Sequence, residues 1–373
     1  MTLGAPDPHH VPMAQLRWAI VLLLALMPFT PISTAASATT SPTPQWAYAY
    51  VNKATAAEAP IGVPTAISVN SQWSTGGTGA TVTRIGTGAY EVRLPGVASS
   101  TGIVHVTAYR THYRGRTCAV TGYGPSGADE LVEVQCYDEN GAPVDWWFTV
   151  HFTAPTAINY AYATVHHTGT QPNSGTFNSD GQTNSVVRDS TGQYRAVIPG
   201  ASFVSGTGHI KLTAYEATGA RCSAQAGTAA GGALEIPVSC YAISTGALVD
   251  AKWLLSYSVG GDAAAYTTVT AGPAIDTGRS YSVTGETPTV ERIGTGWYRV
   301  TWQNVGILFG NVQVTSTATD GRYCHLGTIN DYSAPPRLTV DVYCHTTAGL
   351  LGDSTFGVSY MRRPPASCVS QET

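Results

Sequence analysis

Three aspartates close three similar stretches: GAPVD ends at Asp145, GALVD at Asp250 and GLLGD at Asp353. Repeated carboxylates of this kind suit two tasks. They can work as general acids or bases, or each can accept backbone N–H bonds and fix the glycine turn it follows. Arg84, Arg188 and Arg292 each precede a turn of their own and offer guanidinium partners to those carboxylates. A whole active site repeated three times in small domains is unusual. All six residues are therefore assigned to turn structure, and no catalytic residue is assigned. A paired-carboxylate glycosidase stays as an outlying alternative.

Other constellations carry less. The sequence contains no GxSxG elbow and no HExxH helix. Gly122-Tyr-Gly124-Pro-Ser-Gly127 matches GxGxxG by letters, but no helix follows it to aim at a phosphate, so it is expected to be a turn. His166 and His167 are adjacent, and neighbours on a strand point to opposite faces, so they chelate poorly together; a solvated strand end is expected. Asn178, Asp180 and Gln182 resemble half of a calcium loop without its distant glutamate, which favours a plain turn. No metal and no cofactor are expected.

Aromatic residues are the stronger candidates. Trp147, Tyr109, Tyr137, Tyr215 and Tyr241 all fall on the outward phase of their strands. Outward rings can stack on sugars or fill a partner's pocket; the alternative is burial between adjacent copies. Trp73, Phe177 and Tyr281 recur at one position with changed identity, as a core or packing slot tolerates.

The elements that hold these residues come in three copies. Arg84, Arg188 and Arg292 are 104 residues apart, and Tyr90, Tyr194 and Tyr298 keep the same spacing. RIGTGAYEVRLPG, RDSTGQYRAVIPG and RIGTGWYRVTWQN are copies of one segment; so are GIVHVTAY, GHIKLTAY and GNVQVTST. A period of this size is an independent domain rather than a solenoid repeat. Each copy holds two cysteines: Cys118 and Cys136, Cys222 and Cys240, Cys324 and Cys344. In an exported chain, one pair per copy predicts three internal disulfides. Cys368 is left over and is free or bridges to another chain.

Period-two alternation dominates each copy, as in Tyr90, Val92 and Leu94 against Glu91 and Arg93. Glycine-rich turns break the runs, and no sustained helical period follows the N-terminal segment. The expected fold class is all-β: three tandem antiparallel β-sandwiches of seven or eight strands, with a jelly roll as the rival. Pro237 suggests that its strand lies at an edge.

The boundaries follow. Residues 1–38 are expected to be a secretory signal, with Arg17 before the apolar run Trp18 to Met27 and Ala36-Ser37-Ala38 at the cleavage site. Met1 and Met13 are alternative starts. Residues 39–45 form a linker, 46–155, 156–261 and 262–361 the three copies, and 362–373 a tail. Only 11% of the 373 residues are charged and there are three lysines, Lys53, Lys211 and Lys252. That excludes ordinary nucleic-acid binding, which needs phosphate neutralisation. After residue 38 no apolar run is long enough to span a membrane.

The pattern R-x-GTG-x-Y-x-V-x-L-PG, then VTAY, a cysteine, C-Y and G-x-x-VD, resembles tandem-repeat secreted proteins of high-GC bacteria. The likeness covers nearly the whole mature chain and carries no assigned chemistry. The third copy departs from it, with Thr317 and His345 where the others have tyrosines. A looser likeness, through the stretch Asn178 to Tyr194, is to the trimeric jelly rolls of complement-type and phage-tail domains. It implies that three fused copies imitate a trimer. The expectation is a secreted, non-enzymatic binding or scaffolding protein at the cell exterior, multivalent for a polysaccharide or envelope component. A structural pseudo-trimer is the first alternative and a hydrolase or inhibitor the second.

Overall fold

The computed structural model describes residues 45–53, 55, 57–155, 161–167, 176–260, 263–305 and 310–363. The expected signal segment, most of the linker and Cys368 lie outside the described residues. What is described is all-β, with one short 3-10 turn and no α-helix.

The alternation read in the sequence makes the strands. In Ala89–Leu94, Tyr90, Val92 and Leu94 are fully buried while Ala89, Glu91 and Arg93 are half-exposed. A tight turn at Gly88, with φ of 66°, joins this strand to its partner Thr81–Gly86. A Cβ there would meet the Cys136 carbonyl oxygen at 2.7 Å, so the turn needs glycine for conformation and for space.

Each copy is a sandwich of two antiparallel sheets. In the first copy one sheet runs Gln72–Ser74, Gln45–Val51, Phe148–Ala154, Ile103–Ala108. The facing sheet holds Thr65–Ala66, Thr81–Gly86, Ala89–Leu94, Asp129–Tyr137 and Thr117–Ser126. The later copies repeat this order, and each copy has its own apolar core. The cystines Cys118–Cys136, Cys222–Cys240 and Cys324–Cys344 each join directly opposite residues of two adjacent strands. With short strands included, the first two copies contain nine described strands each, one more than expected, and the third contains eight, within the expected number.

Pro237 is not on an edge strand. Ala233–Ala242 is paired on both sides. The neighbouring strand is instead interrupted between Ala220–Ala224 and Thr228–Ala230, opposite Pro237. The missing N–H falls at that gap, and the Pro237 carbonyl accepts from Gln225 N–H at 2.9 Å.

The three copies meet along equivalent strands: Ile103–Ala108, His209–Tyr215 and Gly310–Ser316. Three threonines at one repeat position link them in a cycle. The Val106 N–H donates to Thr213 Oγ1 at 3.1 Å, the Leu212 N–H to Thr315 Oγ1 at 3.1 Å, and the Val314 N–H to Thr107 Oγ1 at 3.2 Å. Each copy thus donates to the next, and the third returns to the first. Both faces of these strands are therefore covered, which explains why His105, Lys211 and Gln313, polar residues two positions before the threonines, are all buried. The packing is pseudo-threefold about these strands.

Candidate functional site

The six turn residues come together within each copy. Arg84 donates from Nε to Asp145 Oδ1 at 3.0 Å and from Nη2 to Oδ2 at 2.8 Å. Asp145 Oδ1 also accepts from Gly88 N–H at 2.8 Å and Tyr90 O–H at 3.2 Å. Tyr90 in turn accepts from Trp146 N–H at 3.1 Å. Asp250 has the same partners in Arg188, Gly192 and Tyr194, and Asp353 in Arg292, Gly296 and Tyr298. The clamp holds the Thr-Gly turn against the start of the last strand.

Its electrostatics are those of structure. Hydrogen bonds from Arg292 hold the Asp353 carboxyl down at about 2, and those from Arg188 hold Asp250 well below the usual range. Burial pushes Asp145 up, but the Arg84 and Gly88 hydrogen bonds outweigh it and the net shift is downward. A carboxylate locked in its ionised form with this many donors is a poor proton carrier at neutral pH. Exposure differs among the copies: the side chains of Arg84 and Asp145 are 7% and 21% exposed, those of Arg188 and Asp250 51% and 48%.

The aromatic candidates do not form one outward face. Tyr137 and Tyr241 are buried. Tyr137 packs with Ala214 and Ile243 of the second copy, and the Tyr241 O–H donates to the Thr319 carbonyl of the third at 2.6 Å. Tyr215 is half-buried and pairs with Val120 of the first copy, where the Glu216 N–H donates to the Val120 carbonyl at 2.7 Å. Tyr109 is likewise half-buried against the third copy's core, bridged to Leu326. Its ring lies 5.5 Å from Tyr50 and 6.2 Å from Trp147. Trp147 is half-buried, with the Arg110 guanidinium 4.6 Å over its ring. Outward phase predicts exposure only where nothing packs on the sheet, and here a neighbouring copy does.

No family model, curated protein or solved structure matches the chain.

The remaining candidates resolve locally. His166 and His167 are buried rather than solvated. His166 Nδ1 lies 3.1 Å from the Tyr123 hydroxyl of the first copy, and His167 packs between Tyr194 and Trp253. Asn178 caps its turn, accepting from Asp180 N–H at 2.8 Å. Gly122 to Ser126 belong to a strand, with the turn at Gly127. Trp73, Phe177 and Tyr281 are partly exposed edge-packing rings rather than core, as in Trp73 on Trp46 at 4.3 Å. Among the described residues no group of three or more His, Cys, Asp or Glu side chains could hold a metal ion, and no helix is long and apolar enough to cross a membrane.

Sequence reasoning missed the polar residues between copies. Asn311 donates to Thr149 and to the Val150 carbonyl of the first copy, and Ser256 Oγ lies 2.9 Å from His105 Nε2. Arg221 stacks 4.2 Å over Tyr323 and donates to the Gly321 carbonyl at 3.2 Å. The available signal was the recurrence of His105, Lys211 and Gln313 at one repeat position.

Proposed function

We propose that the chain is a secreted, non-enzymatic structural protein of the cell exterior, in which three fused copies act as one pseudo-trimeric body. The observation that carries this is the cyclic donation of Val106, Leu212 and Val314 to Thr213, Thr315 and Thr107. A set of independent binding modules on a string would leave those strands to water, whereas here three polar positions are spent on joining copies. The three disulfides fit folding in an oxidising compartment outside the cytoplasm. Burial of Tyr137 and Tyr241 favours this reading over multivalent recognition by outward rings. A body of this kind presents its outer loops at fixed mutual angles, which suits scaffolding on an envelope surface.

The test uses the full chain with its disulfides formed. It is expected to sediment as a monomer, to unfold in one cooperative transition, and to be retained by cell-envelope preparations. Three resolved unfolding transitions would overturn the single body, and loss of retention on every envelope fraction would overturn the scaffold.

A further inference from the structure

The three seams between copies use equivalent positions but are not equally filled. On the first copy the seam face carries Tyr50, Tyr109 and Trp147 in ring contact. The third copy has Thr268, Thr317 and Thr355 at the same places. The registers agree: Tyr50 opposes the residue after Phe148, and Thr268 the residue after Phe356. The hairpin laid against this face also differs. The first copy presents Tyr123 and the third Ile329, each opposite a core valine. The second copy interrupts its strand there and presents Ala226 and Gly227. A Cβ on Gly227 would lie 2.6 Å from the Leu234 side chain, so that position must stay small.

Thr268, Thr317 and Thr355 line a cavity of about 250 Å³ between the second and third copies. At the seam of the first and third copies the recess is about 210 Å³ and extends to the exposed Asn52 and Asn70, with Tyr50 and Tyr109 in its wall. We propose that the cavity between the second and third copies binds a single neutral sugar ring of the pyranose class.

The chemistry of the lining selects that class. A Cβ on Gly357 would meet nothing within 4 Å, so the sheet leaves open space there, and the half-buried Ile210 gives an apolar wall suited to the C–H face of a ring. Thr317 donates to Thr355 Oγ1 at 2.8 Å, which leaves the Thr355 hydroxyl proton for a ligand. Thr268 donates to the Arg279 carbonyl at 2.9 Å and keeps its lone pairs. Asp276 accepts from Arg279 Nη1 at 2.8 Å and from Gly278 N–H at 3.1 Å, with acceptor capacity to spare for ligand hydroxyls. Arg279 also donates from Nε to Gly206 and from Nη2 to Gly227, carbonyls of the second copy, so the wall is fixed before any ligand arrives. The charges of Arg279 and Asp276 cancel, which favours a neutral polyol over an anion or cation. Drug-sized ligands occupy pockets of about 300–1,000 Å³, so this smaller space fits one ring rather than a chain.

This inference stands on the cavity and does not require the scaffold reading. The full chain is mixed with free glucose, galactose, mannose and N-acetylglucosamine, and saturation transfer to each sugar is measured by NMR. At least one is expected to bind, and Thr317→Tyr, which restores the ring found in the other copies, is expected to abolish binding. Thr355→Val, nearly isosteric, is expected to weaken binding by about tenfold through one lost hydrogen bond, and it serves if Thr317→Tyr does not fold. Absence of binding by every sugar, binding unaltered in Thr317→Tyr, or wild-type affinity in Thr355→Val would overturn the proposal. So would binding of p-cresol in place of the sugars, which would mark the cavity as a slot for an aromatic side chain.

Discussion

The turn clamps and the seams respond differently to repetition. Inside each copy, arginine, aspartate, glycine and tyrosine make the same contacts three times over. Between copies, equivalent positions are filled by Tyr50, Tyr109 and Trp147 at one seam, by His166, Tyr215 and Lys252 at another, and by Thr268, Thr317 and Thr355 at the third. A clamp is satisfied by groups from one copy, so any copy that folds must keep it whole. A seam is satisfied by two copies, and paired changes on facing surfaces leave each sandwich intact. What is needed to fold one copy is repeated; what joins copies is free to specialise.

Removing a clamp carboxylate tests the first half of that contrast. Asp145→Ala strands the buried Arg84 guanidinium and is expected to cost about 3 kcal/mol, measured by chemical denaturation. The same change at Asp250 or Asp353 should cost less, because those pairs are more exposed to solvent. Equal losses at all three sites would show that burial does not set the strength of the clamp.

A second carboxylate in the first copy supplies the opposite case. Glu130 is buried, accepts from Ser99 N–H at 3.1 Å, and its Oε1 atom has no hydrogen-bond partner. Burial pushes its carboxyl up to about 7. Its protonated form is favoured in the folded state, so stability falls as pH rises from the unfolded value near 4.5 through 7. The depressed Asp145, Asp250 and Asp353 act in reverse: their contribution is present above about pH 4 and is lost as acid protonates the folded carboxylates. Glu130→Gln should remove about 2 kcal/mol of the decline toward neutral pH and leave the acid limb unchanged. A melting profile across pH 2–8 that keeps its neutral-side decline in the variant would refute the assignment.

The smallest effect is expected at the threonine cycle. Thr107→Val removes the acceptor of the Val314 N–H and should cost roughly 1 kcal/mol. Thr213→Val and Thr315→Val should match it if the seams are equivalent at the axis. A large difference among the three would mean that the seams differ at the axis as well as at their outer rings.

The fold was legible in the sequence because its signals are local. Alternation gives the strands, the Thr-Gly turns give the hairpins, and the cysteine spacing recurs once in each copy. Arg84 and Asp145 were recognisable as possible partners through their matched recurrence with the repeat. The seam was not legible, because period-two patterning reports which side of a strand faces its own core and is silent on a neighbour packing on the other side. That is why Tyr137 and Tyr241, outward in phase, are buried, and why His166 is not solvated, whereas His167 is covered within its own copy by Tyr194 and Trp253. Pro237 misled for a related reason: a proline needs only a local gap in its neighbour, and an interrupted strand supplies one as well as a sheet edge does.

The threonine cycle also bears on how the chain is made. Its first two links join neighbouring copies, but the third unites Thr107 with Val314, and Tyr50 accepts from the Val312 N–H at 2.9 Å across most of the chain. Long-range contacts of this kind slow folding, because the loop between them must close before any contact repays the lost entropy. During synthesis the first copy can fold its own sandwich early. Its Tyr50, Tyr109 and Trp147 must then wait uncovered until the third copy has emerged, which leaves a transient sticky face on every nascent chain.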